Sequence, residues 1–391
     1  MQNSRLGAII ALCMALTVLL FVFAACADDP PPPAPREIAA TPTPAAGAAA
    51  QATPPPTVGV AHSVGISMPT HYLPRWSRDG ENLEFRLQGM GMDVNLQFAD
   101  DSVVTQIAQI QSMIDANVDV LIIVAIEGDS LTEVLEGAEA AGIPVISYDR
   151  LIMNSSAVTY YATFDNWMVG EMQGQFIADT LDLANQAGPF YIEFFTGDPG
   201  DNNINFFFPG AMSILQPFLD DGTLVSVSGQ TDIMEVATVG WSADLAQARM
   251  TSLIESHNFT PNGQRLDAVL ASNDSTAQGV TNALIAAGFT PENIPVITGQ
   301  DCDLTSVRNM LAGYQAMSVF KDTRTLAENV VEMVLDLRDG RTVSINNTTD
   351  YDNGTGLIPT NLSVPVVVTI DNYREILINS GYYTEDQIIH G

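Results

Sequence analysis

The sequence predicts an α/β fold with two doubly wound lobes, each built on a parallel β-sheet. Short apolar runs alternate with longer runs whose apolar residues recur at helical spacing, which is the pattern of repeated βα units. The pattern begins near residue 63 and restarts after residue 166. Roughly 335 residues follow the N-terminal region, which is too many for one ordinary core and suits two lobes.

In the first half of the body, strands are predicted at residues 64–68, 94–98, 121–124, 144–147 and 159–163. Residues 121–124 are Leu-Ile-Ile-Val, and such a fully apolar strand indicates a parallel sheet that is covered on both faces. The spacing of Trp76, Leu83 and Leu87 predicts the first helix between these strands. Residues 103–114 and 131–138 repeat that spacing and predict the next two helices.

In the second half, strands are predicted near residues 191–195, 224–227, 268–270, 296–298 and 318–320. Helices are predicted near residues 206–219, 243–256, 276–287 and 304–312. Repeated units of this kind form sheets with right-handed crossovers, and their ligands lie beyond the carboxyl ends of the strands. The polar residues at those ends are therefore the first candidates for a site.

The composition narrows the classes of function. Net charge is −32, from 46 acidic and 14 basic residues, which argues against nucleic acid or an anionic lipid surface as a partner. Solubility is sufficient to explain this acidity. The chain has three cysteines and four histidines, and none of them cluster with metal-ligand spacing. We therefore expect no metal and no cofactor.

The N-terminus has the layout of a secretory signal peptide over residues 1–25. Arg5 precedes an uncharged apolar run at 6–23, and two alanines lead to Cys26. A cysteine in this place resembles the bacterial lipobox, in which the cysteine is lipidated and becomes the new N-terminus, although Phe23 stands where leucine is usual. A plain signal peptide or an uncleaved anchor helix are the alternatives. Each of them places the body outside the cytoplasm, which excludes cytoplasmic enzymes and DNA-binding repressors.

Residues 26–62 are rich in proline, alanine and threonine, and we expect them to be a disordered tether that holds the body away from the membrane. Cys13 leaves with the signal peptide and Cys26 carries the lipid, so Cys302 is the remaining cysteine of the mature body. No disulfide is therefore expected.

Polar side chains follow the predicted strands at six places: Asp149-Arg150, Asp165-Asn166, Asp201-Asn202-Asn203, Asn273-Asp274, Gln300-Asp301 and Lys321-Asp322. Asp and Asn are common turn and capping residues, so a single occurrence has an ordinary structural explanation. Six in succession favour a binding site. A polyol needs this mixture of carboxylates, amides and cations, because each hydroxyl donates one hydrogen bond and accepts up to two.

Individual roles follow from the chemistry of these groups. Asp149 and Asp274 are candidates to accept bonds from paired hydroxyls, Arg150 to donate two parallel bonds, and Lys321 to donate from the edge of the second lobe. Trp76 and Trp241 lie at strand-to-helix junctions, and the apolar face of a sugar ring packs on such a flat surface. Ordinary hydrophobic packing is the alternative for both tryptophans.

In combination these motifs resemble the type I solute-binding proteins of sugar ABC importers. They are most similar to the branch that contains the xylose-binding protein and the receptors for several monosaccharides (galactose, glucose and arabinose). The resemblance runs from about residue 63 to 390, and the segments that carry it are 143–152, 160–166, 201–203, 272–274, 298–301 and 319–323.

The resemblance implies that a ligand is clamped between the two lobes. The implied binding residues are Arg75, Trp76, Asp149, Arg150, Asn166, Asn202, Asn203, Trp241, Asn273, Asp274, Asp301 and Lys321. The choice within the Asn202/Asn203 and Asn273/Asp274 pairs stays open. Cys302 stands where the family often has alanine, which indicates a small filler, with lining of the cleft as the alternative.

The resemblance also implies a hinge of three crossings, near residues 164–166, 319–322 and 357–361. The first lobe would then hold residues 63–164 and 322–357. The second would hold 165–320 and 360–391.

The function implied is capture of a monosaccharide, a pentose or a hexose, by hinge closure and its delivery to an ABC permease. The protein would be a monomer, lipid-anchored to the cell membrane at the cell surface or in the periplasm. A sugar-sensing receptor for a chemoreceptor or sensor kinase is an alternative, and Arg150 with Lys321 leaves a sugar acid open as the ligand. An enzyme such as a glycosidase is less favoured, because no nucleophile elbow appears and the aspartates lie beside cations that keep them ionised.

Overall fold

The computed structural model describes residues 63–390, all of which belong to one compact unit of the chain. The predicted signal peptide, Cys26 and the tether at 26–62 lie outside the described residues. No helix within 63–390 combines the length and the apolar character that a bilayer crossing requires.

The strands, in chain order, are β1 (Ser63–Met68), β2 (Asp93–Phe98), β3 (Val120–Ile123), β4 (Val145–Tyr148), β5 (Val158–Phe164), β6 (Phe190–Phe195), β7 (Leu224–Ser226), β8 (Ala268–Ala271), β9 (Val296–Ile297), β10 (Ser318–Phe320), β11 (Thr360–Ser363) and β12 (Val366–Val368).

The α-helices, in chain order, are α1 (Pro74–Gly89), α2 (Val103–Asp115), α3 (Thr132–Ala141), α4 (Asn166–Thr180), α5 (Ile204–Asp220), α6 (Ala243–His257), α7 (Asp274–Ala286), α8 (Leu304–Leu311), α9 (Thr323–Arg338) and α10 (Glu385–His390). A 3₁₀ turn at Val239–Trp241 and a π-helix at Arg374–Asn379 complete the helical segments of the described chain.

The first sheet has six strands in the order β11-β5-β4-β3-β1-β2, and all neighbours are parallel. Helices α1 and α9 cover one face, where Leu83 and Val330 share a core cluster with the strands. Helices α2 and α3 cover the other face, through residues such as Met113 and Leu135. We call this sheet and these four helices the first lobe.

The second sheet has the parallel order β7-β6-β8-β9. A parallel bridge between Gln300 and Val319 continues it to β10, which pairs antiparallel with β12. Helices α6 and α7 pack on one face and α4 and α5 on the other. We call this sheet with α4 to α8, β10, β12 and the C-terminal segment the second lobe. The predicted α/β fold class with two doubly wound parallel sheets is confirmed.

The chain passes between the lobes three times, after β5, after β10 and after β11. One expected boundary needs a correction, because Thr360–Ser363 pairs with β5 in the first sheet and does not begin the second lobe. This strand lies at the edge of the sheet, and three of its four residues are polar, with the two end residues buried and the two central ones half-buried. An edge strand needs no continuous apolar run, which is why hydrophobic pattern did not indicate it.

Glycines let α4 and α5 approach each other closely. A Cβ atom on Gly170 of α4 would overlap the carbonyl oxygen of Phe207 on α5, and one on Gly174 would lie 2.7 Å from the carbonyl oxygen of Ala211. The two helices follow Asp165 and Asn203, which stand at the carboxyl ends of their sheets. Their contact therefore fixes the position of the polar residues that precede them.

We expect Gly170→Ala to lower the free energy of unfolding by about 2–4 kcal/mol, because the added methyl group has to push the two backbones apart. Urea unfolding measures the change. Gly137→Ala is the matched control, since this helical glycine in α3 has its nearest non-local atoms at 3.7 Å and the substitution should stabilise by about 0.5–1 kcal/mol. Equal effects of the two substitutions would show that the α4–α5 contact is not close-packed.

Candidate ligand-binding site

A cavity lies where the carboxyl ends of the two sheets face each other, and it contains about 410 Å³ of space between atoms, part of which is open to solvent. The first lobe contributes Leu73, Arg75, Trp76, Asp149 and Arg150 to its lining. The second lobe contributes Asp201, Asn203, Phe207, Trp241, Asn273, Ser275, Gln300, Asp301 and Asp303, and Lys321 enters from the second crossing between the lobes. Both lobes thus supply charged groups to the same cavity.

Arg75, in the first turn of α1, joins the two lobes. Its guanidinium donates to the carboxylate of Asp149, to Asp79 Oδ2 at 3.2 Å and to Asp301 Oδ1 at 3.2 Å, and Asp301 belongs to the second lobe. Burial alone would lower the pKa of Arg75, but the charges of Asp149, Asp301 and Asp79 outweigh it and raise that pKa. Arg75 is therefore a permanent cation between three carboxyl groups.

Asp149 follows β4 with φ near 60°, a left-handed backbone that costs free energy for a residue with a side chain. Its N–H donates to Ala162 O at 2.7 Å, and its carbonyl oxygen accepts from Tyr161 Oη at 2.6 Å, Thr163 Oγ1 at 3.0 Å and Asn203 Nδ2 at 3.0 Å. Four hydrogen bonds thus hold the strained residue and fix the direction of its carboxylate.

The charge of Asp149 is stabilised by its neighbours. Burial would raise the pKa of its carboxyl group, and the positive charges of Arg75, Lys321 and Arg150 more than compensate, so that the pKa lies below its ordinary value. An ionised carboxylate accepts hydrogen bonds and donates none. Asp149 can accordingly accept hydrogen bonds from hydroxyl groups.

Arg150 forms the neighbouring wall of the cavity. Its Nε lies 2.8 Å from Asp201 Oδ2, which is an ion pair whose angle does not meet hydrogen-bond geometry. Its Nη1 donates to the carbonyl oxygens of Ala125 and Ile126 at 3.2 and 3.3 Å. Burial raises the pKa of Asp201 in spite of the opposing charge of Arg150. Arg150 is thereby fixed to the first lobe while its charge faces the second.

Lys321 is the second buried cation, with 2% of its surface exposed. Its Nζ lies 3.4 Å from Asp301 Oδ1 and 3.9 Å from Asp149 Oδ2. Asp301 has φ near 98°, and its N–H donates to Val319 O at 2.8 Å. Arg75 and Lys321 therefore contact the same two carboxylates, one from each lobe.

Two tryptophans supply flat surfaces. The guanidinium carbons of Arg75 and Arg150 lie 4.9 and 5.2 Å from the Trp76 ring centre, within range of a cation–π interaction. Trp241 packs edge-on against Phe207, with ring centres 6.3 Å apart. Both tryptophans are buried and both line the cavity.

Several buried polar atoms of the lining have no hydrogen-bond partner among residues 63–390. They are Trp76 Nε1, Arg150 Nε, Trp241 Nε1, Gln300 Oε1 and Asp303 Oδ1. Burial and the charge of Asp301 raise the pKa of Asp303 to about 6. Buried polar groups are normally paired, so these donors and acceptors suit a polar ligand with hydroxyl groups.

The structure brings most of the predicted binding residues together at the cavity. The predicted residues that line the cavity are Arg75, Trp76, Asp149, Arg150, Asn203, Trp241, Asn273, Asp301 and Lys321. Asn273 also caps α7, because its Oδ1 accepts from the backbone N–H of Thr276 at 3.0 Å. Asn273 therefore both caps α7 and lines the cavity.

Three predicted residues do not line the cavity. Asn166 donates to Asn203 Oδ1 at 2.9 Å and orients it. Asn202 is partly exposed and accepts from Asn205 at 3.1 Å. Asp274 is turned into the second lobe, where its carboxyl group accepts from Asp303 N at 2.7 Å and Ser318 Oγ at 2.8 Å. Burial, Asp303 and Asp301 raise the pKa of Asp274 well above its ordinary value, which suits a structural group.

The other lining residues are Leu73, Asp201, Phe207, Ser275, Gln300 and Asp303, none of which was in the set of implied binding residues. Asp201 and Gln300 stand within the strand-end motifs recognised in the sequence, whereas no motif indicated Leu73, Ser275 or Asp303. Cys302 does not line the cavity. It is fully buried among Val307, Leu377 and other apolar side chains, and burial raises the pKa of its thiol. No cluster of His, Cys, Asp or Glu within residues 63–390 is arranged to hold a metal ion.

Comparison with known proteins identifies the family. A model of the periplasmic binding protein domain matches residues 64–342. The multiple sugar-binding periplasmic protein SbpA of Azospirillum brasilense is 46% identical over 327 residues, which cover 83% of this chain and 90% of that protein. The D-xylose-binding periplasmic protein of Escherichia coli is 32% identical over 325 residues, which cover 83% of this chain and 92% of that protein.

A solved structure is similar over the same region. The ABC transporter solute-binding protein of Clostridium phytofermentans with bound β-D-glucose shares 53% sequence identity and a TM-score of 0.81, covering 83% of this chain and 99% of that one. These findings confirm the resemblance that was inferred from the strand-end motifs. The chain belongs to the periplasmic binding protein family, in the group of the sugar-binding receptors and ABC transporter solute-binding proteins.

Proposed function

We propose that this protein binds a monosaccharide in the cavity between its lobes and delivers it to an ABC permease, with D-glucose as the first candidate ligand. The observation that carries the proposal is the composition of the cavity. Two carboxylates, Asp149 and Asp301, come from different lobes and contact the same two buried cations, Arg75 and Lys321. A ligand with several hydroxyls can bond to both lobes at once.

The lining matches the two kinds of surface that a pyranose presents. Its hydroxyls would donate to Asp149 and Asp301 and would accept from Lys321, Arg150 and the tryptophan N–H groups. Its apolar C–H face would pack on an indole ring, for which the buried Trp76 and Trp241 are the candidates. The clostridial relative, at 53% identity, holds β-D-glucose, which supports this class of ligand.

Closure would couple binding to recognition by the permease. The three crossings form the only covalent links between the two sheets within residues 63–390, so the lobes can rotate about them. A sugar favours the closed form only because it contacts both lobes there, and its differential affinity for the two forms sets the shift. The permease would then distinguish the closed, loaded receptor from the open one.

The activity is binding without turnover. The named relatives are sugar-binding and solute-binding proteins, which supports this, and the lowered pKa of Asp149 suits a hydrogen-bond acceptor and not a general acid. The receptor would act as a monomer, since one chain supplies every group of the cavity described above.

Lipid attachment at Cys26 would keep the receptor at the outer face of the cell membrane. The lipobox-like sequence and the proline-rich segment after it support this location. We expect the protein to incorporate a labelled fatty acid in the producing cells, and Cys26→Ser to incorporate none. The absence of label from both forms would instead favour a plain signal peptide or an uncleaved anchor helix.

Binding calorimetry with D-glucose, D-xylose, D-galactose and L-arabinose tests the function. At least one sugar should bind with a Kd below about 10 μM, and chromatography of the mixture should recover it unchanged. If no sugar binds more tightly than about 1 mM, the monosaccharide proposal is wrong. Conversion of the sugar would show an enzyme.

Asp149→Asn should weaken binding of the best sugar by about 100-fold, equivalent to about 3 kcal/mol, because it removes an ionised acceptor and leaves Arg75 and Lys321 with less negative charge. Calorimetry measures the loss, and the circular dichroism spectrum should be unchanged.

Asp267→Asn is the matched control, because this carboxylate also pairs with an arginine, Arg265 at 2.9 Å, but stands at the amino end of β8. It should leave the affinity within about twofold. An Asp149→Asn variant that binds as tightly as this control would place the ligand elsewhere.

A further inference from the structure

We propose that a clasp outside the cavity holds the lobes together and sets the affinity for the ligand without touching it. The clasp consists of Ser380, Tyr382 and Tyr383 in the C-terminal segment, together with Arg78, Thr323 and Arg324 in the first lobe. This inference rests on the proposed function, because affinity is its main measured consequence. None of the six residues lines the cavity.

The C-terminal part of the clasp is fixed to the second lobe. Tyr383 is buried, and its hydroxyl donates to the carbonyl oxygen of Cys302 at 3.0 Å, next to the cavity residue Asp301. The Tyr382 ring packs edge-on against Phe320 at 4.7 Å and against Tyr383 at 4.8 Å between ring centres. The two tyrosines therefore move with the second lobe.

Arg78 of α1 provides the main contact from the first lobe. Its Nη1 donates to Tyr382 Oη at 2.9 Å, and its guanidinium carbon lies 5.4 and 4.9 Å from the Tyr382 and Tyr383 ring centres. Its Nη2 also lies 3.8 Å from Asp303 Oδ1. Burial alone would lower the pKa of Arg78. The interactions of its guanidinium with Tyr382, Tyr383 and Asp303 outweigh the effect of burial and raise that pKa.

The start of α9 provides the other contacts from the first lobe. Thr323 Oγ1 lies 3.3 Å from Tyr382 Oη. The guanidinium carbon of Arg324 lies 5.0 Å from the Tyr382 ring centre, and its Nη1 donates to Ser380 O at 3.0 Å. The Tyr382 ring thus contacts guanidinium groups from two helices of the first lobe, an arrangement that favours cation–π attraction where water is partly excluded.

These contacts join groups on different lobes, so they weaken when the lobes separate. They therefore favour the closed form whether or not a ligand is bound. The apparent affinity of a ligand is its affinity for the closed form multiplied by the fraction of protein that is closed. The clasp raises that fraction, and its removal should speed ligand release because the lobes open more readily.

Three variants test the clasp in the full chain with D-glucose, or with the best sugar of the panel. Arg78→Ala should raise Kd by about tenfold, and Tyr382→Phe, which keeps the ring but loses the hydroxyl contacts to Arg78 and Thr323, should raise it by about threefold. Tyr382→Phe leaves the Arg78–Asp303 contact intact, so its effect cannot come from a changed charge in the cavity. The double variant should raise Kd by less than the product of the two single increases, because both substitutions remove the same hydrogen bond between Arg78 and Tyr382.

Arg86→Ala is the matched control. Arg86 lies on the same helix, and its ion pair with Glu328 of α9, at 3.9 Å, stays within the first lobe. This substitution should leave Kd unchanged. Stopped-flow tryptophan fluorescence measures the association and dissociation rate constants separately. In the clasp variants the loss of affinity should come from faster dissociation, with little change in the association rate constant. A general loss of stability would not produce this pattern.

A second measurement needs no sugar. The chain has three tryptophans, of which Trp76 and Trp241 are 3% and 5% exposed in the cavity and Trp167 is 41% exposed outside it. In a Trp167→Phe background, acrylamide should quench the two cavity tryptophans more strongly in Arg78→Ala and Tyr382→Phe than in Arg86→Ala. Greater quenching would show that the cleft opens more often without the clasp.

Equal quenching and equal dissociation rates in the clasp variants and the control would overturn the inference, since the contacts would then persist in the open form. The two proposals fail in different ways. If the unsubstituted protein binds no sugar, the proposed function is wrong, and the quenching measurement still decides whether the clasp holds the lobes together.

Discussion

The structure depends on one requirement, that charges buried between two lobes must be paired. Arg75 satisfies it for Asp149 in the first lobe and for Asp301 in the second, and Lys321 lies against the same two carboxylates. Breaking a buried pair by removing one partner typically costs about 3–5 kcal/mol, because the other charge is left uncompensated. Arg75 pairs with Asp149 within the first lobe, whereas Asp301 of the second lobe finds its cations in the first lobe, at Arg75, and at the crossing, at Lys321. The chemistry that makes the cleft polar therefore also makes its closed form favourable, and a ligand with hydroxyls can take over part of this pairing.

This requirement explains why so much of the surrounding structure holds one residue in an unfavourable backbone conformation. Asp149 has a left-handed φ, and its carbonyl oxygen accepts three hydrogen bonds, including one from Asn203 of the second lobe. Asn166 orients Asn203 in turn, and both residues stand at the start of the closely packed helices α4 and α5. Binding sites commonly store strain of this kind when their surroundings determine the geometry completely. The glycines between α4 and α5 are thus connected to the direction of a single carboxylate.

Most of the fold could be predicted from the sequence, because strands buried on both faces must be apolar and the helices that cover them must be amphipathic. Residues 121–124 show this clearly. The edge strand β11 could not be predicted in this way, since Leu362 is its one apolar residue. For the site, the rule that ligands lie at the carboxyl ends of strands located Asp149, Asn203 and Lys321. It could not tell Asn203 from Asn202 or Asn273 from Asp274, because a turn of one residue decides which side chain faces the cavity, and that turn depends on tertiary contacts. The tyrosines at 382 and 383 lie outside any strand-end motif, and their partners Arg78 and Arg324 are distant in sequence.

The separation between the cavity and the clasp has a physical consequence for how such a receptor is tuned. Groups in the cavity contact the ligand, so a change there alters which ligand is preferred as well as how tightly it binds. In the proposed clasp, the contacts of Tyr382 are with residues outside the cavity, so a change there would shift the equilibrium between open and closed forms by the same factor for every ligand. Arg78 also contacts Asp303, which lines the cavity, so a change there would alter the cavity as well. A cavity that accepts several related sugars through shared hydroxyl contacts can then keep its preferences while its overall affinity is adjusted at Tyr382. The equilibrium between open and closed forms also sets an upper limit on the strength of the clasp. A clasp strong enough to close the lobes without a ligand would present the empty receptor to the permease, so its partly exposed, moderate contacts are what a receptor of this kind requires.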